Sequence, residues 1–263
     1  MNAEAVYGSA TAGRVACQEV AGEVLEETAV TSPPVDARLI ADRLGLEIAL
    51  DASQHGRGRI KRLCGRTTIL VRPEERPERL QWTIAHEIGE FVAHRVFRRL
   101  DLEPDDAGTR TREQIANEMA SQLLLPADWF LRDARLLDAN LPRLKRIYTT
   151  ASHELILTNL LRLPYLSLVT VCDHGRITRR MGNGQLSPPR LLPIERDVWH
   201  RVHHTGRAAD ETAEGVRVQG WAVNEPGWKR ELLRTVAIDM MEACDVPAEA
   251  SHESAAELSA HPM

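Results

Sequence analysis

Residues 86–94 read HEIGEFVAH. On a helix, positions 86 and 90 lie one turn apart on the same face, so their side chains can converge on one ion. The string is one residue away from His-Glu-x-x-His, in which two imidazoles chelate zinc and the glutamate between them acts on a water. Here Glu90 stands where the second imidazole belongs. Zinc accepts nitrogen and oxygen donors alike, so a carboxylate can serve. The extra negative charge lowers the Lewis acidity of the ion. Glu87 falls beside the ligand face, where a general base is needed. His94 lies two turns from His86, about 12 Å along the axis, which is too far for both to chelate one ion.

The flanks support a helix. Pro77 suits a first helical position, and Leu80, Ile84, Ile88 and Phe91 line one side. A third ligand has to come from elsewhere. The next helix, opened by Thr111 and Gln114 as a capping box and closed at Pro126, offers Glu113, Asn117 and Glu118. Glu113 stands out, because Ala116, Asn117 and Ala120 are small enough for close helix approach while Ile115, Met119, Leu123 and Leu124 anchor the core. The alternative role for Glu113 is to sit at the positive end of the helix.

Upstream, two helices (14–30 and 35–44, the latter capped by Gly45) precede a strand in LEIALD. A Gly/Arg-rich loop or hairpin (52–66) leads to a second strand, TTILVRP (67–73). Downstream come helical stretches at 127–138, 140–148 and 153–163. A hairpin turning at Asp173-His174-Gly175 follows, then a Gly/Pro-rich linker, a helix at 194–205, a strand pair at 216–223 and a last helix at 226–243.

The chain has 263 residues, 43% hydrophobic and 27% charged, with a net charge of −5. This is a globular composition, and the charge excludes a global field that would draw it to nucleic acid. The four cysteines (17, 64, 172 and 244) are scattered, which argues against a disulfide framework or a thiolate zinc site. No apolar stretch is long enough to span a bilayer, and no signal core opens the chain, so a cytoplasmic protein with no membrane partner is expected.

RPERLQWTIAHEIGE followed by EQIANEMASQLLLP resembles the ImmA/IrrE metallopeptidases, whose pattern is A-H-E-h-G-H and then E-x-x-A-N-x-h-A-x-x-L-L-h-P, with h apolar. Both motifs match apart from Glu90, and IYTTASHELILTNLLRL is similar to the helix-turn-helix-like segment of that family. The resemblance spans roughly residues 33 to 180. It implies a cytoplasmic zinc endopeptidase that cuts a helix-turn-helix repressor and so induces stress-response or mobile-element genes. His86 and Glu113 would be zinc ligands and Glu87 the general base. Position 90 departs from the pattern, which leaves zinc or another divalent metal held by His86, Glu90 and Glu113. In that fold TTILVRP would be an edge strand to which a peptide could add.

The expected architecture is α+β. A disordered 1–13 leads to a zincin-like domain at 14–126, a helix-turn-helix-like segment with a hairpin at 127–182, a small α+β region at 190–245, and a disordered tail at 246–263. The alternative function is an impaired protease acting as a regulator-binding protein. DNA contact through Arg143, Lys145, Arg146 and Arg162 is a third and less favoured reading, since 153–163 carries few base-reading side chains. His200, His203 and His204 are expected to be polar surface, Cys64 an ordinary cysteine, and Trp199, Trp221 and Trp228 core.

Overall fold

Helix α3 (Pro77–Arg99) is the organising element, and its start and stop are readable. Pro77 occupies its first turn after an extended Arg76, and the chain leaves it at Leu100, followed by Asp101 at φ 52°. Its buried stripe, Ile84, Ala85, Ile88, Val92 and Val96, recurs every three to four residues. The computed structural model describes residues 10–103, 107–185, 189–225 and 227–238. The chain divides into two compact units, with the break after Leu163.

In the first unit, α1 (Ala10–Glu27) and α2 (Ala37–Arg43) precede strands β1 (Glu47–Leu50), β2 (Gly58–Leu63) and β3 (Arg66–Val71). The order is β1-β3-β2, with β1 parallel and β2 antiparallel to β3. The expected edge position of 67–73 is therefore corrected: β3 is the central strand. It hydrogen-bonds to β1 on one side and β2 on the other, and its Thr68, Ile69, Leu70 and Val71 are buried on both faces. The edge beside α3 is β2, joined to β3 by Cys64-Gly65 with both φ positive, the conformation of a tight hairpin turn.

Helix α4 (Thr109–Leu124) lies against α3 in one core with α1, α2 and the sheet. Its expected capping box is absent. The helix starts three residues earlier, with Gly108 and not Thr111 as its N-cap, and Thr111 is buried within its first turn. Helices α5 (Ala127–Leu136), α6 (Leu141–Ile147) and α7 (His153–Asn159) follow, the last two capped by the side chains of Asn140 and Ser152. Buried Tyr148 donates to Asp133 at 2.9 Å and meets Phe130 edge-on. Residues 10–13, expected to be frayed, form the first turn of α1. Residues 1–9 and the tail at 246–263 lie outside the described residues.

The second unit is a five-stranded antiparallel sheet of order β5-β4-β8-β7-β6. Its strands are β4 (Ser167–Asp173), β5 (Arg176–Gly182), β6 (Ala209–Ala213), β7 (Val216–Ala222) and β8 (Arg230–Ala237). Helix α8 (Pro193–Thr205) covers one face through Ile194, Val198 and Val202, packed on Val218 and Leu233. Three expectations change here. The strand pair expected at 216–223 is the single strand β7, paired with β6 and β8. The 165–180 hairpin belongs to this sheet and not to the helical segment before it. The helix expected at 226–243 is, within the described residues, strand β8. It is buried on both faces, from Glu231 to Val236, so its sequence shows no alternation to betray a strand.

Candidate metal centre

Gly89 makes the centre possible. A Cβ at this position would stand 2.8 Å from Met119 Cβ and 2.9 Å from the Ala116 carbonyl oxygen, so only glycine lets α3 and α4 approach this closely. The close approach brings Glu113 and Asn117 of α4 up to His86 of α3. Nε2 of His86 lies 3.6 Å from Glu90 Oε1 and 3.7 Å from Glu113 Oε2. One ligand atom from each of His86, Glu90 and Glu113 falls within 4.8 Å of the others. Donors about 2.1 Å from an ion at tetrahedral angles stand roughly 3.4 Å apart, so this one-nitrogen, two-carboxylate set suits zinc.

The other nitrogen of His86 is also engaged. Nδ1 lies 3.1 Å from Asn117 Oδ1. With Nδ1–H donating to that amide oxygen, Nε2 is left as the electron-pair donor facing the two carboxylates. Among the protein's own groups, the Glu90 carboxylate raises the pKa of His86, and His86 in turn lowers that of Glu90.

Glu87 sits one residue along, only 4% exposed. Its Oε2 is buried without a hydrogen-bond partner, a position held at a price in desolvation unless a reacting group meets it. Burial, reinforced by the Glu90 and Glu113 charges, pushes the Glu87 carboxyl up to about 7. Across from it lies Gly58 at the start of β2. A Cβ there would stand 2.4 Å from Glu87 Oε1 and 2.7 Å from Thr83 Cγ2. The edge strand thus runs directly past the group suited to act as base.

The other candidates fall elsewhere. Asn117 supports His86 rather than joining the carboxylates. Glu118 turns to Gln122, 2.8 Å away, and Arg14. His94 is exposed, with Nδ1 3.1 Å from the Phe91 carbonyl oxygen. His203 lies 2.9 Å from buried Glu231, which also accepts from Trp199 Nε1. Among the described residues no other cluster of histidine, cysteine or carboxylate groups is placed to hold a metal ion. Cys64 is exposed in the β2–β3 turn, while Cys172 is buried, its thiol pushed up to about 12 by burial. Lys145 is held by Glu78, Thr149 and Ala151, so it is a brace between α3 and the α6–α7 turn. Gly58 was not legible beforehand, because a glycine in a Gly/Arg-rich stretch carries no signal of what it faces.

The family model for Peptidase_M78, the IrrE N-terminal-like domain, matches residues 41–149, and the ImmA/IrrE resemblance is thereby shown over that span. That span runs from α2 through α6 and contains every residue of the centre. No curated protein matches the sequence. Among solved structures, a Mycobacterium tuberculosis transcriptional regulator is similar, with a TM-score of 0.61 at 17% identity over 89% of this chain and 80% of that one. At this identity the likeness shows the fold alone. Among the described residues no helix is long and apolar enough to cross a membrane.

Proposed function

With residues 41–149 matched to the IrrE N-terminal-like domain of a metallopeptidase family, we propose that the chain is a zinc-dependent endopeptidase of the ImmA/IrrE type. The observation that carries this reading is the convergence of His86, Glu90 and Glu113 beside a buried, unpartnered Glu87. His86 Nε2 and the Glu90 and Glu113 carboxylates would hold the ion. Zinc, when bound there, supplies the Lewis acidity that activates water and polarises the scissile carbonyl. Glu87 takes the proton of the attacking water and passes it to the leaving amine, a role suited to a carboxyl poised near neutrality. Asn117 holds the His86 ring so that Nε2 faces its partners. The strand edge available to the peptide is that of β2, which brings the backbone past Glu87. The substrate is a helix-turn-helix transcriptional repressor, cut to release stress-response or mobile-element genes.

Glu90 supports a second reading, a regulator-binding protein that has lost cleavage because its ligand set is too anionic. Incubating the zinc-loaded protein with candidate repressors separates the two. The peptidase reading expects cleavage by the unaltered protein and none by Glu87→Gln with zinc retained. Repressor binding without cleavage, at full zinc occupancy and across pH 6 to 9, supports the second reading instead.

A further inference from the structure

The edge strand beside the centre is built from glycine and cations. Residues 56–62 read Gly-Arg-Gly-Arg-Ile-Lys-Arg. One side of β2 is taken by β3, and among the described residues no strand pairs with the other. Arg72 N donates to Arg57 O at 2.8 Å, which makes 57 and 72 a hydrogen-bonded pair. Alternation along an antiparallel ladder then turns the backbone groups of Gly58, Ile60 and Arg62 outward. Gly58, the first of these, is the residue in contact range of Glu87.

The side chains divide by face. Gly58, Ile60 and Arg62 share the α3 face of the sheet, and Arg57, Arg59 and Lys61 the opposite one. Two cations of this hairpin are neutralised: Arg59 pairs with Asp51 at 2.7 Å, and Arg66 with Glu47. Arg57, Lys61 and Arg62 are exposed, and no carboxylate among the described residues forms an ion pair with them. Such a row repels a second copy of the same strand, which is a common protection of sheet edges. The same row attracts a strand of opposite charge.

We propose that the outer edge of β2 takes an extended acidic segment of a protein, added as a further strand, with carboxylates at the positions opposite Arg57 and Lys61. Neighbouring strands place directly opposed residues on the same face, so acids four residues apart meet these two cations. The residues between them, opposite Gly58 and Ile60, face the metal centre and need no charge. Nucleic acid fits less well. A phosphate backbone does not supply the alternating ladder hydrogen bonds that the outward groups of β2 offer, and the net charge of −5 draws in no polyanion. The proposal rests on the peptidase reading only in calling the bound segment a substrate.

Binding can be read without cleavage. Fluorescence anisotropy of the full chain, with and without zinc, would use labelled ten-residue peptides of alternating Glu-Val, Gln-Val and Lys-Val. The Glu-Val peptide is expected to bind best. Its affinity should fall roughly 1.5- to 5-fold for each of Arg57→Ala and Lys61→Ala, and not for Arg196→Ala on α8. N-methylation of the amides in one alternate register should abolish binding, while the other register is tolerated. Equal binding of Glu-Val and Gln-Val overturns the proposal, as does indifference to both N-methyl registers. So does a DNA duplex that binds more tightly than Glu-Val and is lost in the same variants. Acidic-peptide binding with no cleavage of any acidic substrate supports the proposal and overturns the peptidase reading.

Discussion

Gly58 and Glu87 stand so close that a Cβ on the glycine would lie 2.4 Å from the carboxylate Oε1. The two come from different elements, the edge strand and the motif helix, and the absence of one side chain makes room for the other. Gly58→Ala should therefore displace Glu87 without touching any ligand atom. The expected result is a fall in kcat/KM on the order of 10²-fold, the scale of a general base, with zinc content unchanged. Full activity in this variant would remove Gly58 from the account of the site.

Asn117 accepts from His86 and touches no carboxylate of the triad. Asn117→Ala should weaken zinc binding roughly 10- to 100-fold, the usual effect of losing a group that orients a ligand. Competition with a zinc-binding dye measures this directly. An unchanged zinc affinity would mean that ring orientation is fixed by the surrounding side chains instead.

On the proposed ligand set, Glu90→His replaces an anionic ligand by a neutral one. The ion then keeps more of its charge, and its activated water should be more acidic. The expected outcome is tighter zinc binding and a pH–rate profile whose rising limb moves to lower pH. A shift to higher pH contradicts the assignment of Glu90 as a ligand.

The raised pKa of Glu87 has a stability consequence in the metal-free protein. Below about pH 4.5 the carboxyl is protonated whether folded or unfolded and contributes nothing. Between there and its folded value of about 7, the unfolded chain ionises first, so stability falls as pH rises. The loss is on the order of 3 kcal/mol at pH 8. Glu87→Gln removes it, so in EDTA the variant should be more stable than the unaltered protein to urea at pH 8 and equal to it at pH 4. Equal stability at both pH values would show that Glu87 is not held in a desolvated site.

The centre was legible where chemistry and helical period coincide. His86, Glu87 and Glu90 share a motif whose spacing is its geometry, and the small residues Ala116 and Ala120 announce the close approach that carries Glu113 inward. The sheets were less legible, because position in a sheet is set by neighbours distant in sequence. TTILVRP gave its strand but not its central place between β1 and β2. The charged GRIKRL concealed β2, although an edge is where a strand tolerates such charge. RELLRTVA read as a helix because a strand buried on both faces loses its alternation. Gly58 gave no sign at all, since its importance lies in what it lacks.

The central claim is that His86, Glu90 and Glu113 form one zinc site. Its most direct test is elemental analysis of the purified full chain after equilibration with zinc and removal of excess, alongside Glu113→Ala. The account predicts one zinc per chain in the unaltered protein and a large loss in the variant, with the fold retained by circular dichroism. No stoichiometric zinc in the unaltered protein, or equal zinc in both, would contradict it.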